Sequence, residues 1–472
     1  MNTLRNALTQ ATQTAIRDAA ELAPGPWRLR YHIEPQTGWL NDPNGLSYLD
    51  GWHHVFYQYC PFDATGGIKF WAHCRSRNLT DWEQLPVMLY SDEPFDVMGA
   101  YSGSALPSPE GLYMYYTGNV KYDDGDYDYI LEGREQNTVL AYSRDGIHLD
   151  RKRLLMTNED YPADMTRHVR DPKVFAYDGR FYMVLGARTR VDEGVALIYE
   201  SDDRRNWHHI NTLRTAEPFG YMWECPDLFE IDGQWFLMIS PQGVHRDEPG
   251  YENIYTSGVM PLDGDFRGEY TLGAFQPLDF GFDFYAPQTY ECDGRRLLIG
   301  WMGMPDADYT NPTVRFGYQQ ALTQVRELRR DGTRVLMEPV AELAALRENE
   351  SSTFFRQSMW KEMPPAFELQ VEAESPLEVE ISGARFTLRD GMCELKMKEN
   401  GSGRTVRRAP APGATGARFL VDTSSIECFL NDGSTVFSTR FYPPAGRRSL
   451  SILGIARVTE WTLRPFGWQT VD

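Results

Sequence analysis

Five short stretches of this chain repeat one another: "DGWHHVFYQY", "EGLYMYYTG", "DGRFYMVLGA", "DGQWFLMIS" and "DGRRLLIGW". Each places an acidic residue and a glycine ahead of a run of aromatic and aliphatic residues. Asp-Gly before such a run marks a β-hairpin, because both central turn positions require positive φ. The glycines are 51, 111, 179, 233 and 294, at intervals of 60, 68, 54 and 61 residues. Each interval holds about four strands with their turns, the size of a propeller blade. Regular turn spacing also arises in a series of β-sandwich hairpins, so a second pattern has to decide between the two.

That pattern lies just before the hairpins. Asp42 stands nine residues ahead of Gly51, Asp171 eight ahead of Gly179 and Glu224 nine ahead of Gly233. Ser102 and Tyr285 take the same place in the second and fifth units. In a propeller the strand before the first hairpin lines the central channel, so three units deliver a carboxylate to one region. Pro43, Pro172, Pro226 and Pro287 lie close by and bias the preceding residue toward extended backbone. The register is good to one residue, and alignment on the prolines puts Cys225 rather than Glu224 opposite Asp42.

Composition agrees with strands: 26 Tyr, 24 Phe and 12 Trp suit a pleated, half-buried surface. A formal net charge of −20 argues against nucleic acid or an anionic membrane as partner. Six cysteines without a CxxC pair, in a chain long enough to need no staples, read as free thiols in a reducing, cytoplasmic setting. Residues 1–24 read as a short docking helix, its apolar positions near 4, 8, 11, 15, 19 and 22 interrupted by polar ones, unlike a signal peptide. Beyond the repeats, 336–352 reads as a linker with a short helix. Residues 353–472 alternate apolar and polar as a β-sandwich does. The expected fold is therefore all-β: an N-terminal helix, a five-bladed β-propeller over 25–335, and a C-terminal β-sandwich.

Converging carboxylates without matching histidines suit a hard-metal site or glycosidic bond cleavage. The one stretch with calcium-like spacing, "KYDDGDYDY" at 121–129, reads as a solvated acidic loop, and zinc lacks a His or Cys pair at ligand spacing. No metal or cofactor is expected. Glycoside cleavage needs an acid to protonate the leaving oxygen and a second carboxylate to attack or to activate water. Sugar sites add aromatic platforms and hydrogen-bonding side chains, and Trp71, Tyr285, Trp301, Asn41, Gln58, Ser102 and Arg170 fall near the proposed strand ends. Asp227, three residues beyond Glu224, is a rival for the acid.

"RYHIEPQTGWLNDPNGL", "YSGSA", "RDP" at 170–172, "ECPD" at 224–227 and "DFYAPQ" at 283–288 together resemble the motif set of glycoside hydrolase family 32, the β-fructofuranosidases. The resemblance extends through "VRFGYQQALTQVREL" to "DTSSIECFLNDGSTVFSTR" and departs at Ala72 and Cys60. It implies a propeller followed by a sandwich and a retaining mechanism on sucrose, sucrose 6-phosphate or short fructo-oligosaccharides. Asp42 would be the nucleophile, Glu224 the acid and then the base, and Asp171 the holder of the sugar hydroxyls. Asn41, Gln58, Trp71, Ser102, Arg170, Tyr285 and Trp301 would bind substrate. Fructosyl transfer through the same intermediate and non-catalytic sugar binding are the alternatives. Lys121, Arg134 and Arg188 are candidates to contact a phosphate. A small sugar is the expected partner, with no nucleic acid or membrane, and a homo-oligomer is left open.

Overall fold

A computed structural model describes residues 2–246, 248–373 and 376–471. Four of the five hairpins show why the repeats begin as they do. Asp50, Asp178, Asp232 and Asp293 have φ of 52, 50, 49 and 50°, and the glycines after them 78, 77, 79 and 77°. Two successive positive φ values make a type I′ turn, whose twist matches the strands it joins. The second hairpin, Glu110–Gly111, departs: only its glycine has positive φ.

Each hairpin opens a four-stranded antiparallel meander. The inner strands are Gly38–Leu49, Ala100–Ser108, Met165–Tyr177, Met222–Ile231 and Tyr285–Cys292. Five separate sheets grow outward from them, and each inner strand packs beside the next, with the last against the first. The chain thus closes a ring around a channel. Aromatic and aliphatic residues of facing blades fill the space between sheets, for example Phe56, Trp71 and Tyr116 between the first two.

Two six-stranded sheets follow, one running from Arg347–Phe355 to Thr435–Arg440 and the other from Ser358–Met363 to Val406–Pro410. Phe367, Val379, Phe386, Phe419, Phe437 and Ile452 fill the sandwich between them. The boundaries move from those expected. The last blade ends with Arg334–Pro339, and the strand Arg347–Phe355, placed in the linker by its polar sequence, pairs with Ala456–Leu463 in the sandwich. A short 3-10 helix, Ala341–Leu346, fills the gap. At the end, Gly467–Thr470 returns to the propeller and pairs in parallel with the outer strand Asp81–Leu89.

The N-terminal helix, Thr3–Ala20, is capped by the Asn2 side chain and tied down by Arg5 on Asp92 at 2.6 Å. Its docked face centres on the buried Thr12, while Leu4 and Leu22 are exposed. Among the described residues no helix is long and apolar enough to cross a membrane.

Candidate active site

All five inner strands break register at the same height. Asn41 and Asp42 together oppose Gln58, since Leu40 pairs with Tyr59 and Pro43 with Tyr57. The skipped pairs in the other blades are Tyr101–Ser102, Asp171–Pro172, Cys225–Pro226 and Ala286–Pro287. A bulge of this kind bends the strand and re-aims its side chains. At Asp171, Cys225 and Ala286 the backbone takes φ of 63, 45 and 47°, left-handed and immediately before proline. Such a conformation costs about 1–3 kcal/mol per residue and persists only where the surroundings impose it.

The bulges settle the register left open by the sequence. Asp42 and Ser102 hold the second bulge position, Asp171 and Cys225 the first, and Arg170, Glu224 and Tyr285 the residue before it. Those last three residues bond to one another across blades. Arg170 Nη2 donates to Glu224 Oε1 at 2.6 Å, and the Tyr285 hydroxyl donates to Glu224 Oε2 at 2.7 Å. Gln242 Nε2 adds a third donor at 2.8 Å. Both oxygens of Glu224 are therefore held in place.

Asp42 is fixed by a second set. Asn41 Nδ2 donates to its Oδ1 at 3.1 Å, and the Ser102 hydroxyl donates to its Oδ2. Gln58 locks both donors, accepting from Asn41 at 2.7 Å and donating to Ser102 Oγ at 2.5 Å. Trp39 Nε1 fixes the Asn41 oxygen at 2.8 Å. Asp171 lies between the two groups. Its amide donates to Thr117 Oγ1 at 2.9 Å, and its Oδ2 accepts the Cys225 amide at 2.9 Å. The Cys225 thiol reaches Asp42 at 3.6 Å and Asp171 at 3.7 Å, and Arg170 Nε lies 3.7 Å from Asp171.

Burial pushes the Asp42 carboxyl up, and the Ser102 and Asn41 bonds pull it back. Burial likewise raises Asp171, to about 7, against the pull of Arg170 and with the push of Glu224. The Cys225 thiol is held well up by burial and by the neighbouring carboxylates, so it stays a thiol. Lys69, brought down to about 8 by burial, lies over the Trp39 ring at 4.9 Å.

Of the proposed binding residues, Asn41, Gln58 and Ser102 gather at Asp42, and Arg170 and Tyr285 at Glu224. Trp71 does not join them. It is fully buried between the first two blades, with its indole N–H on the Tyr101 carbonyl at 3.0 Å, so it presents no face to a ligand. Trp301 packs edge-on to Trp39 and Tyr285 and is 3% exposed, a support behind the site. The rival acid Asp227 is occupied: Lys173 Nζ lies 2.9 Å away, and the Thr289 amide and hydroxyl donate to it at 2.8 and 2.9 Å.

Sequence reasoning missed Gln242, Thr117 and the Cys225 amide. Gln242 was within reach, because it lies two residues past Ser240, the hairpin partner of Glu224, on the same strand face. The other two act through backbone geometry that only the bulges create. Among the described residues, no group of three His, Cys, Asp or Glu side chains could hold a metal ion.

Residues 32–339 match the N-terminal domain of glycosyl hydrolases family 32, and residues 391–460 match the C-terminal domain of that family. The chain is 36% identical to sucrose-6-phosphate hydrolase of Bacillus subtilis, over 93% of this chain and 94% of the relative. Among solved structures it resembles a GH32 beta-fructofuranosidase of Bombyx mori in complex with sucrose, with TM-score 0.87, 32% identity and full coverage of both chains. Sucrose-6-phosphate hydrolase from Lactobacillus gasseri superposes with TM-score 0.88 at 27% identity, over 96% of this chain and 97% of the other.

Proposed function

The chain belongs to glycosyl hydrolase family 32, and from that premise we propose how its own side chains release a terminal β-D-fructofuranosyl unit from sucrose-type substrates. One observation carries the reading: bonded side chains join the bulges of separate blades, so that Asp42, Asp171 and Glu224 form one constellation.

Asp42 attacks the anomeric carbon of the fructosyl unit. Its donors, Asn41 and Ser102, hold it as an oriented anion. As the glycosidic bond breaks, the leaving oxygen takes a proton from Glu224, giving a free glucosyl product and a fructosyl ester on Asp42. Water then loses a proton to Glu224 and attacks the same carbon from the vacated side, which frees fructose with its configuration retained. Asp171, buried beside both, accepts hydrogen bonds from the sugar hydroxyls. Arg170 and Tyr285 keep Glu224 aimed while its proton leaves and returns. A reducing, intracellular setting goes with this reading, supported by six unpaired thiols, five of them buried.

Incubating the chain with sucrose and measuring released glucose and fructose tests the reading. Asp42→Asn and Glu224→Gln should each lower kcat by about a thousandfold or more. Undiminished hydrolysis by either variant would remove that residue from its role.

A further inference from the structure

The channel has a second mouth, at the end away from the bulges. The inner strands run on to the Asp-Gly turns, and there the blades part around a cavity of about 680 Å3, a volume that small-molecule ligands occupy. Tyr48 and Tyr177 line it six residues beyond Asp42 and Asp171, about 20 Å along a strand from the catalytic end.

Polar braces between blades keep the two ends apart. Lys173 Nζ reaches Asp227 at 2.9 Å and donates to the Thr289 carbonyl. Gln288 accepts the Leu46 amide at 3.0 Å and donates to the Gly103 carbonyl at 2.9 Å. Between these braces and the bulges the free space is about 10 Å3, no more than one water needs. A sugar in the active site therefore cannot pass through to the far mouth.

The charges around the far cavity are already matched. Lys173 faces Asp227, and Arg295 bonds to Glu327 at 2.8 Å and to Glu342 at 2.6 Å. Arg296 lies 3.5 Å from Glu291, and Arg329 pairs with Glu338. Glu230, exposed at the rim, is left over, so an anion would meet a wall of slightly negative balance. The aromatic side chains are less fully used. Tyr48, Tyr177 and Trp235 are half-buried, and Tyr177 and Trp235 hold each other edge-on at 5.1 Å. Among the described residues the two hydroxyls and the Trp235 indole N–H have no protein partner within the cavity wall. A fixed apolar ring with a free polar tip suits a molecule that has C–H faces and hydroxyl edges.

We propose that the far mouth of the channel is a second binding site, which takes a neutral, hydroxyl-rich ligand the size of a mono- or disaccharide. The rings of Tyr48, Tyr177 and Trp235 supply the contact faces, and the paired charges of Arg296 and Glu291 supply donors and acceptors without demanding a charged ligand.

Equilibrium dialysis of the Asp42→Asn variant against radiolabelled sucrose counts the sites. We expect two sucrose molecules per chain. Ala176 is exposed on the cavity wall, so adding Ala176→Trp should fill the space and remove one of the two. Tyr48→Ala in its place should weaken that second site by about fivefold or more. In the otherwise native chain Ala176→Trp should leave Tm and kcat/KM for sucrose unchanged, which separates loss of the far site from damage to the fold. Inorganic phosphate should not displace the second sucrose, and displacement would overturn the neutral ligand class. A count that Ala176→Trp does not lower, whether one or two per chain, would show that the far mouth holds solvent alone and would overturn the site.

Discussion

Asp171 is the residue whose protonation the rest of the site has to accommodate. It shares the channel with Asp42 and Glu224, and burial holds it up at about 7. As pH falls through 7 Asp171 takes up a proton and becomes a weaker acceptor for the sugar hydroxyls, so kcat/KM should fall on the acid side with a limb near pH 7. Replacing Asp171 by Asn removes that titrating carboxyl, so the limb near pH 7 should disappear along with much of the activity. The pH dependence of kcat/KM in the native and variant enzymes measures this, and an unmoved limb would assign the titration elsewhere. Cys225 sits in the same space without joining the chemistry. Its amide orients Asp171, and its thiol fills the gap between two carboxylates.

At the scale of the element, the inner strand is the working part, and its bulge is what the sequence conveyed only in outline. The Asp-Gly turns and the spacing of Asp42, Asp171 and Glu224 were legible, because turn chemistry and strand period are local. Which residue of "ECPD" faces the channel was not, because a bulge shifts the alternation by one and its position depends on the partner strand. Trp71 was misjudged for a related reason. An aromatic near a strand end can turn to the channel or to the next blade, and only packing against Phe56 and Tyr116 decides. The first inner strand begins at Gly38, with φ of 78° and space so tight that a Cβ would lie 2.0 Å from the Cys60 carbonyl oxygen. Gly38→Ala should therefore displace the start of the strand four residues before Asp42. We expect a lower Tm together with a fall in kcat, both measurable on purified protein, and an unchanged Tm would show that the strand tolerates the shift.

On the scale of the whole molecule, propeller and sandwich are joined by buried charges rather than by a loose linker. Arg326 of the last blade bridges Asp279 at 3.1 Å and Glu427 of the sandwich at 2.7 Å. Arg404 of the sandwich forks onto Asp283 with two bonds of 2.7 Å. His32 lies between Asp422 at 2.8 Å and Glu427 at 3.1 Å, all fully buried. None of this was legible in advance, since the partners are separated by between 47 and 395 residues. Burial opposes the charge on His32, but its bonds to Asp422 and Glu427 outweigh that and hold it up at about 8. A histidine raised in the folded state contributes stability that is complete below its unfolded value near 6.5 and disappears as pH rises through 8. About 2 kcal/mol should be lost across that window, and His32→Asn should flatten the step. Denaturant midpoints at pH 6 and pH 9 measure it, and a native chain equally stable at both would refute the charged joint.

The claim on which the mechanism stands is that Asp42 becomes covalently fructosylated and that Glu224 resolves the ester. Glu224→Gln cannot activate water, so with β-D-fructofuranosyl fluoride, whose leaving group needs little acid help, the ester should accumulate. Mass spectrometry of the digested variant should then find one added fructosyl unit, on the peptide that contains Asp42 and on that side chain. A fructosyl unit on any other residue, or no adduct while fluoride is still released, would contradict the account.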